Sequence, residues 1–241
     1  MSKKRAIIFA GYSYDGSIFK DIYPYLEELR NYADYIVAVY DNADLNNDEK
    51  QKLVSKYVDA CILGHHGEYD FGSYKRGFFF LKKQGILDSV DKLLLCNDSV
   101  IFQGRSLAPF FKREEIKDFY GFTSYKKGMH PDTFEWDFIP HIQSYFLSIA
   151  KEIYSTDWFC EFMASVKREN HKYNVIAKYE IGISKLIESH GYKLSSFYPM
   201  LETEPCRTFL SRFRGFHEEL ADIFFLEKRQ YAIAYNKGVM M

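Results

Sequence analysis

The chain has almost no excess charge of either sign and few residues that build disulfides or zinc sites. Its 241 residues include 32 Lys and Arg against 33 Asp and Glu, a net charge of -1. General nucleic-acid binders need a basic surface that displaces counterions, so we expect no nucleic-acid partner. The four cysteines are widely spaced and form no CxxC or CxxH motif, which argues against a zinc site.

Long apolar runs are also missing. No segment approaches the roughly 18 consecutive apolar residues that a membrane-spanning helix needs, and the apolar stretch after the N-terminal Lys-Lys-Arg is too short for a signal peptide. We therefore expect a cytoplasmic protein with reduced cysteines. Hydrophobic residues form 47% of the chain and aromatic residues 18%, which is enough for a sizeable core, and we expect most aromatic rings to fill it.

The first hundred residues alternate between strand-like and helix-like segments. Short apolar runs predict strands over residues 6–10, 35–40, 60–63 and 92–96. The spacing of apolar residues predicts helices over residues 17–32, 48–57 and 72–83. Such alternation is typical of βαβ units, in which helices cover both faces of a parallel sheet.

The second half is less regular. We expect strands over residues 118–123, 143–149 and 193–198. Helices are expected over residues 155–166, with Ser155 as N-cap, and over 174–190, with Gly191 as the C-terminal stop. Residues 126–140, which contain Gly128, Pro131 and Pro140, predict a loop that could cover a ligand.

No composition shift divides the chain, so we expect one domain over residues 1–206. The mixed basic and aromatic segment over residues 207–241 predicts a helical extension packed on that domain. Its part from Arg207 to Arg214 could touch a membrane surface, and a solvated helix face is the alternative.

Polar residues follow the predicted strands, at the edge where ligands bind in parallel α/β sheets. The most informative is Asp98 in Asn97-Asp98-Ser99, because a carboxylate there can bind a Mg²⁺ or Mn²⁺ that bridges diphosphate oxygens. Tyr14-Asp15-Gly16 and Asp41-Asn42 could hold a nucleoside. Ordinary turn formation is the alternative for each motif.

Residues 64–77, which lead into a predicted helix, contain several glycines, two histidines, two acidic residues and two basic residues. Glycine lets a backbone approach a ligand closely, and a helix N-terminus favours anions. His65 and His66 suggest a metal, but adjacent side chains point in different directions, so we do not expect them to share one. Asp70 is a candidate ligand-binding residue or the N-cap of the helix.

Two further candidates lie in the second half. His141, which follows Pro140, could be a metal ligand, a substrate contact or a satisfied core histidine. Glu180 interrupts an apolar stretch of the long predicted helix. It is therefore either surface-facing or placed to act as a general base.

Taken in order, these motifs resemble the rhamnan synthesis F family, bacterial glycosyltransferase-like proteins of surface polysaccharide assembly. Five motifs within residues 5–200 carry the resemblance: Tyr69 to Lys75, Leu94 to Ser99, Asp118 to Thr123, His141 to Leu147, and Tyr179 to Gly182 followed by Gly191-Tyr192-Lys193. That family is similar to nucleotide-sugar transferases of the GT-A fold. The resemblance implies a GT-A-like, Rossmann-type mixed sheet flanked by helices.

In GT-A enzymes an Asp-x-Asp element binds a divalent metal and the donor diphosphate, and a later acid activates the acceptor hydroxyl. The resemblance places Asn97-Asp98-Ser99 at the first position, with one carboxylate instead of two, and Glu180 at the second. It implies that Asp98 binds Mn²⁺ or Mg²⁺ and that Glu180 is the base of an inverting transfer. The other donor-binding candidates are Tyr14, Asp15, Asp41, Asp70, Lys75, Asn97 and Ser99, and the substrate-binding candidates are His141, Gln143 and Tyr145.

The implied partners are a nucleoside-diphosphate sugar, with rhamnose or another hexose, and a glycan or lipid-linked acceptor. A nonenzymatic nucleotide-sugar-binding protein with the same fold is the main alternative. A different α/β hydrolase or phosphatase is disfavoured, since the chain has no Gly-x-Ser-x-Gly elbow and no Cys-x5-Arg loop.

Overall fold

The computed structural model describes residues 3–104, 106–130, 133, 135–201 and 226–228. In these residues the strands are β1 (Arg5–Gly11), β2 (Tyr35–Tyr40), β3 (Ala60–Leu63), β4 (Lys92–Asn97), β5 (Val100–Phe102), β6 (Phe119–Met129), β7 (Trp136–Ile142), β8 (Phe146–Ala150), β9 (Ser195–Leu201) and β10 (Leu226–Lys228).

The α-helices are α1 (Ile22–Arg30), α2 (Asn47–Lys52), α3 (Tyr69–Lys83), α4 (Ile86–Ser89), α5 (Ala108–Glu114), α6 (Lys151–Tyr154), α7 (Asp157–Ser165), α8 (Lys172–Val175) and α9 (Gly182–Ser189). Two wider, π-helical turns continue them. One follows α2 over Leu53–Tyr57, and the other joins α8 to α9 over Ile176–Ile181.

A mixed sheet forms the centre of the molecule, in the order β3-β2-β1-β4-β8-β6-β7, with β9 paired to β6. Strands β1 to β4 are parallel, as their alternation with helices predicts. Strand β8 runs antiparallel to both β4 and β6, and β9 runs parallel to β6. The predicted fold class, a mixed sheet flanked by helices, is confirmed.

Every residue of β1 is buried, because helices cover both faces of the sheet. Alternate side chains of the strand enter two separate core clusters. Ile8 packs in one cluster with Phe78 of α3. Phe9 packs in the other cluster with Tyr25 of α1, and the centroids of these two rings are 5.9 Å apart. Strand β1 is therefore held from both sides, and its carboxyl end is a rigid support for the loop that follows.

Two of the predicted helices begin later in the chain than expected. The helix predicted from residue 17 begins at Ile22, since the Asp15 carboxylate accepts hydrogen bonds from the Ser17 amide and hydroxyl and closes a turn there. The N-cap of α7 is Thr156 rather than Ser155, because the Thr156 hydroxyl oxygen accepts a hydrogen bond from the Phe159 amide.

The predicted covering loop over residues 126–140 is wrong, because β6 and β7 form an antiparallel hairpin there. Gly128 lies within β6 and allows close packing, since a Cβ at this position would meet Ile181 Cδ1 at 2.7 Å. Pro140 lies within β7 beside a register shift, and β7 ends the sheet. Edge strands and bulges are the places where a sheet tolerates proline. The strand predicted from residue 143 begins at Phe146, after a turn.

The predicted extension over residues 207–241, including Arg207 to Arg214, lies outside the described residues except at Leu226–Lys228. These three residues form β10, which pairs antiparallel with β5. The division into residues 1–206 and 207–241 stays a prediction. Among the described residues, no helix combines the length and apolar character required to cross a membrane.

A buried ion pair fixes the start of β1. Arg5 Nη2 lies 2.8 Å from Glu114 Oε2, and the two side chains are 4% and 0% exposed. The other carboxylate oxygen of Glu114 accepts a hydrogen bond from the Ser148 hydroxyl. One buried carboxylate therefore ties together β1, α5 and β8.

We expect the Glu114→Gln variant to lose about 3–5 kcal/mol of unfolding free energy, because the substitution leaves the buried Arg5 charge without its buried counter-charge. Glu115→Gln is the matched control, since Glu115 lies 3.8 Å from Arg5 but is 42% exposed. Its loss should stay below about 1 kcal/mol. Urea unfolding of both variants measures the difference, and equal losses would contradict this account.

Candidate functional site

The carboxyl ends of β1 and β4 lie side by side and place Asp98 beyond the sheet. The Asp98 amide donates to the Ala10 carbonyl at 3.1 Å, which extends the pairing of the two strands. Asp98 Oδ2 then accepts a hydrogen bond from the Tyr12 amide at 2.8 Å. The carboxylate is therefore fixed at the mouth of the sheet, above the end of β1.

Asn97 joins this motif to helix α3. The side-chain amide of Asn97 donates to Asp70 Oδ2 at 2.7 Å, and its Oδ1 accepts from the amide and hydroxyl of Ser99. Asp70 lies in the first turn of α3, whose N-cap is Glu68, so the capping alternative for Asp70 is wrong. Asp70 is thus linked to Asp98 through Asn97, the last residue of β4.

Tyr74 stands one helical turn after Asp70 and is fully buried. Its hydroxyl donates to the Ser144 carbonyl at 3.0 Å. Burial raises the pKa of Tyr74 well above its ordinary value, and the charges of Asp70, Asp98 and Glu180 raise it further. Three of the predicted site carboxylates therefore act on one tyrosine hydroxyl.

Glu180 faces the turn between β7 and β8. Its Oε2 accepts hydrogen bonds from the Ser144 amide at 2.9 Å and from the Ser144 hydroxyl at 2.5 Å. Glu180 belongs to the π-helical turn over Ile176–Ile181, and π-helical turns inside helices are frequent at functional sites. Glu180 is half-buried and its carboxylate is turned towards Ser144. Its role as a general base stays a prediction.

Asp41, at the end of β2, shapes the loop after β3. It is buried, and its carboxylate accepts hydrogen bonds from the amides of His66 at 2.6 Å and Gly67 at 3.0 Å. Gly67 has a φ of 65°, a conformation that favours glycine. Asp41 thus holds this loop in place, and a direct contact with a nucleoside stays a prediction.

His66 lies inside the same loop as a neutral imidazole. Its Nδ1 accepts a hydrogen bond from the Glu68 amide at 3.0 Å, and its Nε2 lies 3.1 Å from the Ser73 hydroxyl. Burial lowers the pKa of His66, since it disfavours the charged form. The neighbouring His65 side chain is 68% exposed against 2% for His66, and the Nδ1 atoms of the two rings lie 3.2 and 3.5 Å from the Asp41 carboxylate oxygens.

Other donor-binding candidates lie around this centre. Tyr14 and Asp15 are exposed in the loop after β1, and hydrogen bonds from the side chain and then the backbone of Ser17 lower the pKa of Asp15. Lys75 Nζ donates to the Val166 carbonyl at 2.6 Å, which directs it toward the C-terminal end of α7. In this arrangement the lysine contacts the protein backbone.

The three substrate-binding candidates are buried beside the Ser144 turn. His141 Nδ1 lies 2.8 Å from the Ile139 carbonyl oxygen, a contact that fits the core-histidine alternative. The Thr123 hydroxyl lies 3.3 Å from Gln143 Oε1 and 2.9 Å from the Tyr145 hydroxyl. Substrate contact by these residues stays a prediction.

Sequence reasoning missed three residues that organise the site: Tyr12, Tyr74 and Ser144. Tyr74 follows Asp70 by four residues, so helical periodicity places both on one face and could have identified it. No comparable signal exists for the other two, because Tyr12 contributes a backbone amide from a loop and Ser144 contributes two backbone groups and a hydroxyl from a turn.

Within the described part of the chain, no three His, Cys, Asp or Glu side chains gather into a metal-binding group. A single carboxylate at Asp98 is nevertheless compatible with Mg²⁺ or Mn²⁺. Magnesium in particular keeps several waters and is usually held by one or two carboxylates together with substrate phosphates. The donor set therefore fits a metal that arrives with a diphosphate.

Comparisons with known proteins give a family and a fold. Residues 36–221 match the protein family described as rhamnan synthesis protein F. The uncharacterized protein y4gN of Sinorhizobium fredii is 28% identical over 183 residues, which are 75% of this chain and 45% of that protein. This chain thus spans less than half the length of that curated relative.

Solved structures resemble this one at low sequence identity. A crystal structure of 4-diphosphocytidyl-2C-methyl-D-erythritol synthase is similar with a TM-score of 0.50 and 12% identity, over 88% of this chain and 98% of that one. Core-mannan synthase A of Aspergillus fumigatus gives a TM-score of 0.45 and 8% identity, over 80% and 72% of the two chains. The first likeness supports the fold.

We expect wild-type protein to lose more stability than the His66→Gln variant as the pH falls from 7 to 5. Burial lowers the folded-state pKa of His66 below its ordinary value of 6.5. The neutral imidazole therefore contributes to the free energy of unfolding above pH 6.5, and this contribution is lost as the pH falls through the folded-state pKa. Urea unfolding across this range measures the effect. His171→Gln, at an exposed position, should follow wild type. Parallel curves for wild type and His66→Gln would contradict the assignment.

Proposed function

Because the chain belongs to the rhamnan synthesis protein F family, we propose that it is a glycosyltransferase. It moves a hexose, rhamnose being one candidate, from a nucleoside diphosphate to a cell-surface polysaccharide. The acceptor is a glycan or a lipid-linked glycan, met on the cytoplasmic side of the membrane. The family supports this class of reaction, and the residues at the carboxyl edge of the sheet supply the groups it needs.

One observation carries the proposal. The buried Tyr74 hydroxyl of α3 donates to the Ser144 carbonyl, and Ser144 in turn donates to Glu180. One helical turn before Tyr74, Asp70 is bound to Asn97, the residue before Asp98. A glycosyl transfer needs a group that stabilises the departing diphosphate and a base beside the acceptor hydroxyl. Asp98 and Glu180 are suited to these two tasks, and their shared surroundings support a common cleft.

On the donor side, Asp98 would hold the divalent cation that accompanies the donor diphosphate. When bound, that cation supplies positive charge that offsets the charge developing on the leaving diphosphate. Asn97 fixes Asp70 beside this point, and Asp70 accepts a hydrogen bond from a hydroxyl of the donor sugar or ribose. Tyr14, Asp15 and Asp41 line the nucleoside side, with Asp41 acting through the loop that it holds.

On the acceptor side, Glu180 is the general base. Ser144 donates two hydrogen bonds to Glu180 Oε2, which orients the carboxylate and leaves Oε1 to take the proton from the acceptor hydroxyl. The freed oxygen attacks the anomeric carbon on the face opposite the diphosphate. The new glycosidic bond forms as the bond to the diphosphate breaks, so the configuration inverts.

The second candidate function is a nucleotide-sugar-binding protein without turnover. The single carboxylate in Asn97-Asp98-Ser99 favours it, since the second acid of the Asp-x-Asp element is missing. Transfer of a radiolabelled sugar from a panel of nucleotide sugars separates the two functions. Binding without transfer or donor hydrolysis would favour the second.

We expect Glu180→Gln to lower the rate of sugar transfer by at least about 100-fold, because glutamine cannot accept the proton. Donor affinity, measured by calorimetry, should stay within about twofold of wild type. Glu188→Gln is the matched control, since Glu188 is exposed on α9, eight residues further along the same helical segment. A fully active Glu180→Gln enzyme would exclude the proposed base.

We expect Asp98→Asn to weaken binding of Mn²⁺ with a nucleoside diphosphate by about 10-fold or more, since it removes a charge-assisted contact while keeping the side-chain shape. Isothermal calorimetry with dTDP, UDP and GDP measures the affinity. The control is Asp88→Asn, an exposed position on α4. Unchanged affinity in Asp98→Asn would show that the diphosphate binds elsewhere.

A further inference from the structure

Tyr69, the first residue of α3, has an unusual backbone conformation. Its φ is 56°, and among the described residues other than glycine it alone has a positive φ. Left-handed backbone is costly for a bulky side chain and comfortable for glycine or asparagine. Such strain persists only where the surroundings impose it, and it concentrates at ligand-binding positions.

The surroundings of Tyr69 impose this conformation from both sides. Before it, the Glu68 amide is bound to His66 Nδ1 and the Glu68 carboxylate to Arg76 Nη1 at 2.6 Å. After it, Asp70 is bound to Asn97. Gly72 closes the turn, since a Cβ there would lie 2.3 Å from Glu68 Cβ. The positions of residues 68 and 70 therefore determine the backbone of the residue between them.

Burial of the Tyr69 ring does not fully offset the cost of the left-handed backbone, because the residue is 46% exposed. A glycine at this position would fit the same backbone without strain and without exposing an aromatic ring to water. The tyrosine therefore gains less from burial than a ring in the core does. An exposed ring held in a strained loop is explained better by a ligand that covers it.

We propose that the Tyr69 ring packs against the sugar of the nucleotide-sugar donor. This inference rests on the proposed function, since it assigns a further residue to the same site. Asp70, the next residue, is bound to Asn97, which precedes Asp98, so Tyr69 lies one position from a donor-binding candidate. An aromatic ring offers a flat apolar surface to the apolar face of a pyranose, so the proposal assigns Tyr69 to sugar recognition. A ring that stacks on the nucleobase instead is an outcome that the test distinguishes.

The test compares Tyr69→Gly with wild type in two measurements. Relief of strain should raise the melting temperature of the free protein by about 2–5 °C. Loss of the ring should weaken binding of the nucleotide sugar by about 5–10-fold. The affinity for the matching nucleoside diphosphate should stay within about twofold of the wild-type value. The probes are dTDP-rhamnose, UDP-glucose and GDP-mannose with dTDP, UDP and GDP, each with Mn²⁺. Tyr69→Phe, which keeps the ring, should bind as wild type does.

Tyr173→Gly is the matched control, because Tyr173 is a half-exposed tyrosine inside α8. The Tyr173→Gly variant should have a lower melting temperature, because glycine is unfavourable inside a helix, and both affinities should be unchanged. The proposal is overturned if Tyr69→Gly also lowers the melting temperature, or if it binds the nucleotide sugar as wild type does. Equal weakening of sugar-bearing and sugar-free nucleotides would overturn the sugar contact. A wild-type protein that binds none of the probes would refute the proposed function itself, whatever the melting temperatures show.

Discussion

The candidate site depends on the hydrogen bond between the buried Tyr74 hydroxyl and the Ser144 carbonyl. It joins helix α3, which also bears Asp70, to the turn between β7 and β8. The same serine donates both of its other polar groups to Glu180. Removal of the phenol would leave a buried carbonyl without its donor and free the turn that orients the carboxylate. A single contact thus links the donor-binding and acceptor-activating halves of the proposed enzyme.

The sheet makes this arrangement possible because its two halves are built differently. Strands β1 to β4 are parallel, so their loops and Asp98 collect at one edge, as in other parallel α/β sheets. Strand β8 runs antiparallel to β4, so the turn that precedes it lies at that same edge. Residues from the second half of the chain, Ser144 and Glu180 among them, are therefore brought beside the strand ends of the first.

Local patterns predicted the parallel half well, because each strand is a short apolar run that stops at polar residues such as Asp41 or Asn97. They failed at the β6–β7 hairpin, where Gly128 and Pro140 are typical of a loop. Close packing against Ile181 and an edge position account for these two residues, and both are tertiary facts. The same limit applies to the site. Asp98 and Glu180 stand out in the sequence, whereas the strain at Tyr69 and the backbone groups of Tyr12 and Ser144 depend on the folded chain.

The central claim is that donor and acceptor chemistry meet at the carboxyl edge of the sheet. A crystal structure of the protein with Mn²⁺ and a nucleoside diphosphate tests this most directly. We predict the diphosphate beside Asp98, with the Glu180 carboxylate facing the space into which the transferred sugar would extend. A nucleotide bound at the opposite edge, for example in the groove of about 410 Å³ lined by Lys3, Arg5 and Lys112, would contradict it.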